Sequence, residues 1–465
     1  MSIDNFLMNT GRKGITLEWK GTFNQYMQLA IKNPEITQLA TQRLYNMILS
    51  KGTKTDLQGR VKYNFFDGKI FGAEQQINDI MMYLKAASMG LDIKKRVLLL
   101  LGPPGGGKSQ ILSMFKKGLA EYARSEKGAI YAIDGCPINE EPMHLIPESE
   151  REELWQKYKI KIEGKLCPLC QFKYETDWKR NLNHVPVKRV FINEENRIGI
   201  GTFAPAERND MAELIGSANL ATVDYYGNEG DVRAYEFNGE LHTANRGIME
   251  FIEVLKAKSD FLHVLLTLAE EQQFKTPRFP LQYVDEALIA HTNEGEFYRF
   301  ISVKENEAIV DRLFIVRVPY NMQVENEEKI YHYALKTKLV VKDVTVHPGA
   351  VRLASMFAIA TRQHEDPLRN GMQGISPRFI LNTLAIAMVK INGKMVTPKD
   401  MVNVLRHQVY NYPVLNFETR KQYLHYLDQL EQRVPALNEL KSEDVKFKVK
   451  QQKQGMFDLM IGDDD

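Results

Sequence analysis

Apolar positions recur along this chain with two periods, and the change from one to the other marks its parts. Over the first seventy residues the spacing is helical. Glu18-Trp-Lys-Gly-Thr-Phe23 leads into Tyr26, Leu29 and Ile31, and a second series runs Ile36, Leu39, Leu44, Tyr45 and Ile48. Spacings of three and four put each set on one side of a helix. Asn33-Pro34 divides them, because proline has no amide hydrogen for the helix ladder. Ile70-Phe71-Gly72 opens a third helix to about Met89. Beyond it the pattern becomes short, largely apolar runs: 96–101, Ala129-Ile-Tyr-Ala-Ile133, Ile248-Met-Glu-Phe-Ile-Glu253, Ala287-Leu-Ile-Ala-His-Thr-Asn293 and Leu313-Phe-Ile-Val-Arg-Val318. Runs of this kind are strands covered on both faces, and helical stretches between them predict parallel β–α–β units.

The rhythm fails between 135 and 239. Pro137, Pro142 and Pro147 crowd a turn, a charged helix spans Ser149 to Tyr158, and the remainder is short mixed segments, so this stretch reads as an insertion. From 325 to 410 the period is helical again, through Val351, Leu353, Met356 and Phe357 and then Ile380, Leu381, Leu384, Ile386 and Met388. The expected division is a helical region at 1–70, an α/β core at 71–320 with an insertion at about 135–239, a helical lid at 321–410, and a C-terminal helix with a mobile tail at 411–465.

Composition changes this picture little. At 465 residues the chain has room for two or three domains, and a net charge of +2 gives no reason to expect nucleic acid or an anionic membrane as partner. No apolar run approaches the roughly 20 residues that span a bilayer, and the N-terminus lacks a secretory pattern. Three cysteines fit a reducing compartment, so the expected location is the cytoplasm. Cys167-Pro-Leu-Cys170 is a single CxxC, with His184 fourteen residues on and Cys136 far upstream. A structural zinc site usually draws on two close pairs, and this arithmetic counts against one.

The chemistry lies in Gly102-Pro-Pro-Gly-Gly-Gly-Lys108-Ser109, placed between the first apolar run and a helical series through Ile111, Leu112, Met114, Phe115 and Leu119. Strand, glycine loop and helix form a phosphate-binding loop. Gly102, Gly105, Gly106 and Gly107 let backbone amides turn toward phosphate oxygens, and Pro103 and Pro104 are counted with them as part of the cofactor-binding loop. Lys108 reaches the β and γ phosphates, Ser109 offers a hydroxyl to Mg2+, and the helix directs its positive end at the anion. The cofactors read from this loop are ATP and Mg2+. Hydrolysis needs more: a carboxylate to orient water, a polar group near the γ-phosphate, and arginine for transition-state charge. Glu250 and Glu253 on the run after the insertion are the candidate carboxylates, one for water and the other for magnesium. Asn293 ends an apolar run where such residues face the crevice. Arg312 precedes the last strand, and Arg378 opens a lid helix behind Ser376-Pro377.

Taken together this order resembles the AAA+ ATPases. Gly239-Glu-Leu-His-Thr-Ala-Asn-Arg-Gly-Ile-Met-Glu-Phe-Ile-Glu-Val-Leu255 is similar to the Walker B region of their Lon-type branch, with His242, Ala244, Gly247 and Glu253 matching and Ile252 standing at the aspartate. The chain resembles the bacterial PrkA family more closely, through Trp19-Lys-Gly-Thr-Phe23, Arg43-Leu-Tyr-Asn-Met47, Ala132-Ile-Asp-Gly-Cys-Pro137, His144-Leu-Ile-Pro147, Ala290-His-Thr-Asn-Glu294, Asn306-Glu-Ala308 and Val318-Pro-Tyr-Asn321. The resemblance implies an AAA+ core with a helical lid, assembled as a homo-oligomeric ring. It implies Asn293 as sensor one, Arg312 as a finger completing a neighbour's site, and Arg378 as sensor two. It also implies serine protein kinase activity, ascribed in that family to a longer C-terminal region that this chain is expected to lack. The alternatives are a non-hydrolysing ATP-gated module and a protein-remodelling motor with an unknown protein substrate.

Overall fold

The computed structural model describes residues 18–440, apart from 57–58, 205–209, 229, 277–278, 340, 342 and 392–394. The tail expected to be mobile lies outside the described residues from 441 on. The chain forms two compact units. The first takes the chain up to Asp67, then Ala73–Gly102 and Gly107–Val318; the second takes Gly68–Gly72, Pro103–Gly106 and the chain from Pro319.

In the first unit, strand β1 (Lys20–Thr22) leads into helix α1 (Phe23–Lys32), where Thr22 and Gln25 cap each other reciprocally. Helix α2 (Ala40–Ser50) follows a short 3-10 turn at Pro34–Thr37, where the proline stops the first helix. Helix α3 (Glu74–Ser88) precedes strand β2 (Val97–Leu101), and helix α4 (Lys108–Tyr122) follows it. Next come strand β3 (Ile130–Ile133), helices α5 (Glu148–Tyr158) and α6 (Pro168–Thr176), and strands β4 (Pro186–Val190), β5 (Ile200–Phe203) and β6 (Gly247–Ile252). Helix α7 (Ser259–Glu271), strand β7 (Glu286–Thr292), helix α8 (Glu294–Ile301) and strand β8 (Leu313–Arg317) complete the unit.

Five strands form one sheet in the order β8-β2-β7-β6-β5, every pair parallel. Taken in chain order this is fifth, first, fourth, third, second. The all-leucine-and-valine β2 lies next to the centre, and its five residues are buried on both faces, as a strand with helices on either side requires.

Two expectations need correction. Strand β3 does not join this sheet; it pairs antiparallel with β4, which also pairs antiparallel with β1. A run of buried residues reports burial but not what provides it. Here the cover includes aromatic rings from the N-terminal segment, with Trp19 and Tyr26 centred 5.1 and 5.3 Å from the Tyr131 ring. The place assigned to β3 is taken by β5, inside the stretch expected as an insertion. Ile200-Gly-Thr-Phe203 carries little apolar signal because two of its four residues serve contacts instead. A Cβ at Gly201 would stand 2.5 Å from the Glu240 carbonyl oxygen, and Thr202 accepts a hydrogen bond from Lys116.

The second unit is helical: α9 (Val324–Thr337), α10 (Pro348–Arg362), α11 (Pro377–Lys390), α12 (Pro398–Tyr410) and α13 (Phe417–Glu431) surround an aliphatic and aromatic core that includes Val351, Phe357, Leu384, Leu405 and Leu427. Arg362 is buried in it, and each of its three nitrogens has an acceptor: Glu327 Oε1 at 2.6 Å, the Ile375 carbonyl at 2.9 Å and the Asn321 carbonyl at 2.9 Å. A buried guanidinium is tolerated only when it is paired this fully. Among the described residues no helix is long and apolar enough to cross a membrane.

Candidate nucleotide site

Strand β2 delivers the chain into the glycine loop at the carboxyl edge of the sheet. The Gly102 amide donates to the Thr292 carbonyl at 3.2 Å, and the Val318 amide donates to the Leu101 carbonyl at 2.7 Å. This close docking leaves no room at Gly102, where a Cβ would stand 2.1 Å from the Val318 oxygen. Gly107 then reverses the chain in the left-handed region, φ +98°, and becomes the N-cap of α4. The loop tip, Pro103–Gly106, is held within the second unit. Tyr320 donates to the Pro104 carbonyl at 2.6 Å, and a Cβ at Gly105 would lie 3.7 Å from Ser376 Cβ and 3.8 Å from Arg378 Cβ. Arg378 sits in the first turn of α11, which Ser376 caps by accepting from the Phe379 amide.

Lys108 opens α4 and folds back over the loop, donating from Nζ to the Gly102 carbonyl at 2.6 Å. Burial lowers its pKa to about 8, and the charge of Glu253 opposes part of that shift. The sign of the consequence follows. A phosphate is attracted to the ammonium form, which is populated below about pH 8 and lost above it. ATP affinity is therefore expected to be flat near neutrality and to fall by roughly tenfold per pH unit above the lysine pKa. Calorimetric titration across that range checks this; an affinity that stays flat well into the alkaline range would mean that Lys108 is not the titrating contact.

Behind Lys108, the face of the sheet toward α4 carries a polar cluster. Glu250 on β6 places Oε2 2.6 Å from Lys116 Nζ and Oε1 3.2 Å from His291 Nε2. Lys116 also reaches Glu194 at 3.0 Å and Thr202 at 2.8 Å. Burial pushes the Glu250 carboxyl up, but His291 and Lys116 together outweigh it and hold it below the usual carboxylate range. Ser109, Lys116, Glu194 and Glu250 line one cavity of about 530 Å3. Ile252 lies two residues beyond Glu250 and so on the same face, level with His291. An isoleucine cannot ligate a cation; the oxygen donors that line this cavity are the Ser109 hydroxyl and the carboxylates of Glu194 and Glu250, ligand types that Mg2+ takes, and both Glu250 oxygens are paired with Lys116 and His291. Lys116 belongs to no motif in the sequence, and His291 carries a signal there only as part of the Ala290-His-Thr-Asn-Glu294 string. Lys116 sits on α4, two turns beyond Lys108, and that spacing was the available signal.

Glu253 follows the end of β6 rather than lying within it, with φ +51° and its amide donating to the His291 carbonyl at 2.9 Å. Its carboxylate is partly exposed and touches Lys256 Nζ at 2.6 Å. Asn293 follows β7, whose last residue pairs with Leu101, and so stands beside the start of the glycine loop. Its Oδ1 accepts from the Glu296 amide at 3.0 Å, capping α8. Lys108, Glu253 and Asn293 thus share the carboxyl edge of one sheet.

Arg312 lies elsewhere. Leu313 is level with Val97, at the opposite end of β2 from the loop, so Arg312, one residue further, is about 17 Å down the strand axis from Leu101. Its guanidinium pairs with Glu270 and donates to the Ala308 carbonyl at 2.8 Å. The structure does not bring it to its own chain's loop.

Comparisons with known proteins agree with this architecture. Residues 21–369 match the family described as PrkA AAA domain, and residues 340–446 match the PrkA serine protein kinase C-terminal domain. The second match corrects the expectation that the chain lacks that C-terminal region, because it includes most of the helices read as a lid. The chain is 39% identical over 448 residues to a Bacillus subtilis protein named ATP-dependent protease PrkA, covering 88% of this chain and 70% of that one. It is 32% identical over 317 residues to an Escherichia coli protein named serine/threonine kinase YeaG, covering 65% of this chain and 47% of that one. It therefore spans about half the length of the E. coli relative. Solved structures are more distant; NtrX from Brucella abortus in complex with ADP has 13% identity and a TM-score of 0.37 over 82% of this chain and 66% of that one. With a phosphate-loop sheet of this order and a family match over most of its length, the chain belongs to the PrkA family and carries its AAA domain.

Proposed function

We propose that the chain binds Mg-ATP at Gly102–Ser109 and hydrolyses it, using the energy for conformational change. The observation that carries this reading is the shared edge: Lys108, Glu253 and Asn293 converge at the carboxyl ends of neighbouring strands, the position where α/β sheets bind ligands. In this reading Gly105, Gly106 and Gly107 present amides to the phosphates and Lys108 neutralises the β–γ bridge. Ser109 and Glu250 would hold Mg2+, the ion taking over one Glu250 oxygen from its present pairing, and the metal would supply charge neutralisation. Glu253 orients water, because its carboxylate is the less encumbered of the two. Both Glu250 oxygens already serve Lys116 and His291. Asn293 contacts the γ-phosphate, and Arg312 acts on the site of a neighbouring copy. Its place at the far end of β2, away from its own chain's loop, supports action in trans; the assembly proposed is a homo-oligomeric ring, and the location proposed is the cytoplasm.

Of the two relatives, one is named an ATP-dependent protease and the other a serine/threonine kinase. No His-Arg-Asp or Asp-Phe-Gly string occurs in the sequence, so phosphoryl transfer to serine would have to use this same site. An edge that places a carboxylate toward water favours hydrolysis over transfer to a protein hydroxyl. With γ-labelled ATP and casein as acceptor, label is expected almost entirely in free phosphate. Stoichiometric phosphoserine that disappears in Lys108→Ala would make kinase activity the better description.

A further inference from the structure

The fold gathers a second group of chemistry-bearing side chains away from the phosphate loop, in the part of the first unit built on the antiparallel sheet. Cys136 lies in the turn after β3, Glu140 lies four residues on, and Cys167 and Cys170 begin α6. All four are buried, and one ligand atom from each lies within 4.8 Å of every other. The single CxxC therefore finds its two missing partners on one short turn 27 and 31 residues upstream of Cys167, a pairing that spacing along the chain could not reveal. His184, the residue that spacing suggested, is instead exposed and beside Asn181.

The dimensions suit a tetrahedral metal. Four ligands around zinc at a Zn–S distance of about 2.3 Å place their sulfurs about 3.8 Å apart. Cys136 Sγ and Cys167 Sγ are 4.0 Å apart. The backbone is turned for ligation: Cys167 caps α6, the Cys170 amide donates to the Cys167 sulfur at 3.3 Å, and the two sulfurs lie within 4.8 Å of each other. Glu140 supplies the independent observation. Its Oε1 accepts from the Cys167 amide at 2.6 Å and lies 3.1 Å from His144 Nδ1, while its Oε2 is buried without a hydrogen-bond partner. An unpartnered buried carboxylate oxygen among three sulfurs is costly unless a cation meets it. His144 stands where an outer partner would orient a ligating carboxylate.

We propose that Cys136, Cys167, Cys170 and Glu140 bind one Zn2+ as a structural site. Three soft thiolates select zinc over magnesium or calcium. Four protein ligands in a buried position leave no place for substrate water, which makes the site structural rather than catalytic. Its mechanical role follows from its neighbours. The cysteines belong to an apolar cluster with Phe23, Tyr26, Ile138, Ile160 and Val185, and the metal would tie the turn after β3 to the start of α6 across a stretch whose one long helix, α5, buries no residue of its own.

The test uses the full chain, expressed with zinc and purified under reducing conditions without chelator. Elemental analysis is expected to find about one zinc per chain, the stoichiometry of a single four-ligand site. Cys167→Ser and Cys170→Ser should each lower it by tenfold or more. Because those variants can also lose their fold, the unsubstituted protein carries the decision. Stripping with a chelator should lower its melting temperature, and Co2+ added to the stripped protein should give thiolate-to-cobalt charge transfer with the strong visible bands of a tetrahedral site. Native protein that holds less than a tenth of an equivalent of zinc, and gives no thiolate–cobalt band, would overturn the proposal. So would a disulfide between two of these cysteines in the reduced-purified chain.

Discussion

Lys108→Ala is expected to abolish measurable ATP binding. Lys108 is the only cation in the glycine loop, and its ammonium lies 2.6 Å from the Gly102 carbonyl at the loop's own mouth. Alanine removes the charge and leaves the phosphates facing backbone amides alone. A charge-assisted hydrogen bond contributes about 1.5–3 kcal/mol, and one lysine bridging two phosphates supplies more than one such contact, so affinity should fall by at least about a hundredfold. The fold should persist, because alanine is a good helix former at the first turn of α4 and Gly107 still caps it. Titration calorimetry beside a thermal melt separates the two. Unchanged affinity in a folded variant would remove the loop from the account.

Glu253→Gln should leave ATP binding intact and lower turnover by two or more orders of magnitude, about the scale of a lost general base. Glutamine is nearly isosteric, and it tolerates φ +51° as well as glutamate does. It cannot take the proton of an attacking water. Glu250→Gln probes a different role. It would weaken the pairing with Lys116 and His291 and disturb the cavity that Ser109 also lines, so its effect should appear in magnesium dependence. Should Glu250→Gln abolish turnover while Glu253→Gln spares it, the two roles would be exchanged.

The parts of this molecule that were legible in the sequence are those whose signal is local. Val97–Leu101, Glu286–Thr292 and Leu313–Arg317 are runs long and apolar enough to declare themselves as buried strands, and the glycine loop between β2 and α4 is a contiguous string. Helix breaks were also local, as at Pro34. What stayed hidden depends on partners distant in sequence. Strand β5 spends Gly201 and Thr202 on a close backbone approach and on Lys116, so its apolar pattern is too thin to read. Strand β3 has the right pattern and a different sheet. Within the site, both carboxylates were visible as acids near a strand end, but their difference was not. Only the fold brings Lys116, eight residues into a helix, and His291, on the adjacent strand, to the oxygens of Glu250. The cysteine cluster failed for the same reason, with Cys136 and Glu140 joined to Cys167 and Cys170 by a fold that a CxxC count does not contain.

Phosphate release by the purified chain, followed against protein concentration and alongside its oligomeric state, tests whether ATP turnover here needs a neighbour's Arg312. Release per chain is expected to rise with concentration as rings form, to vanish in Lys108→Ala and in Arg312→Ala, and to return in part when those two variants are mixed, since an intact loop then meets an intact arginine. ATP bound stoichiometrically with no phosphate released at any concentration would contradict this expectation, and would make the chain an ATP-gated module rather than an ATPase.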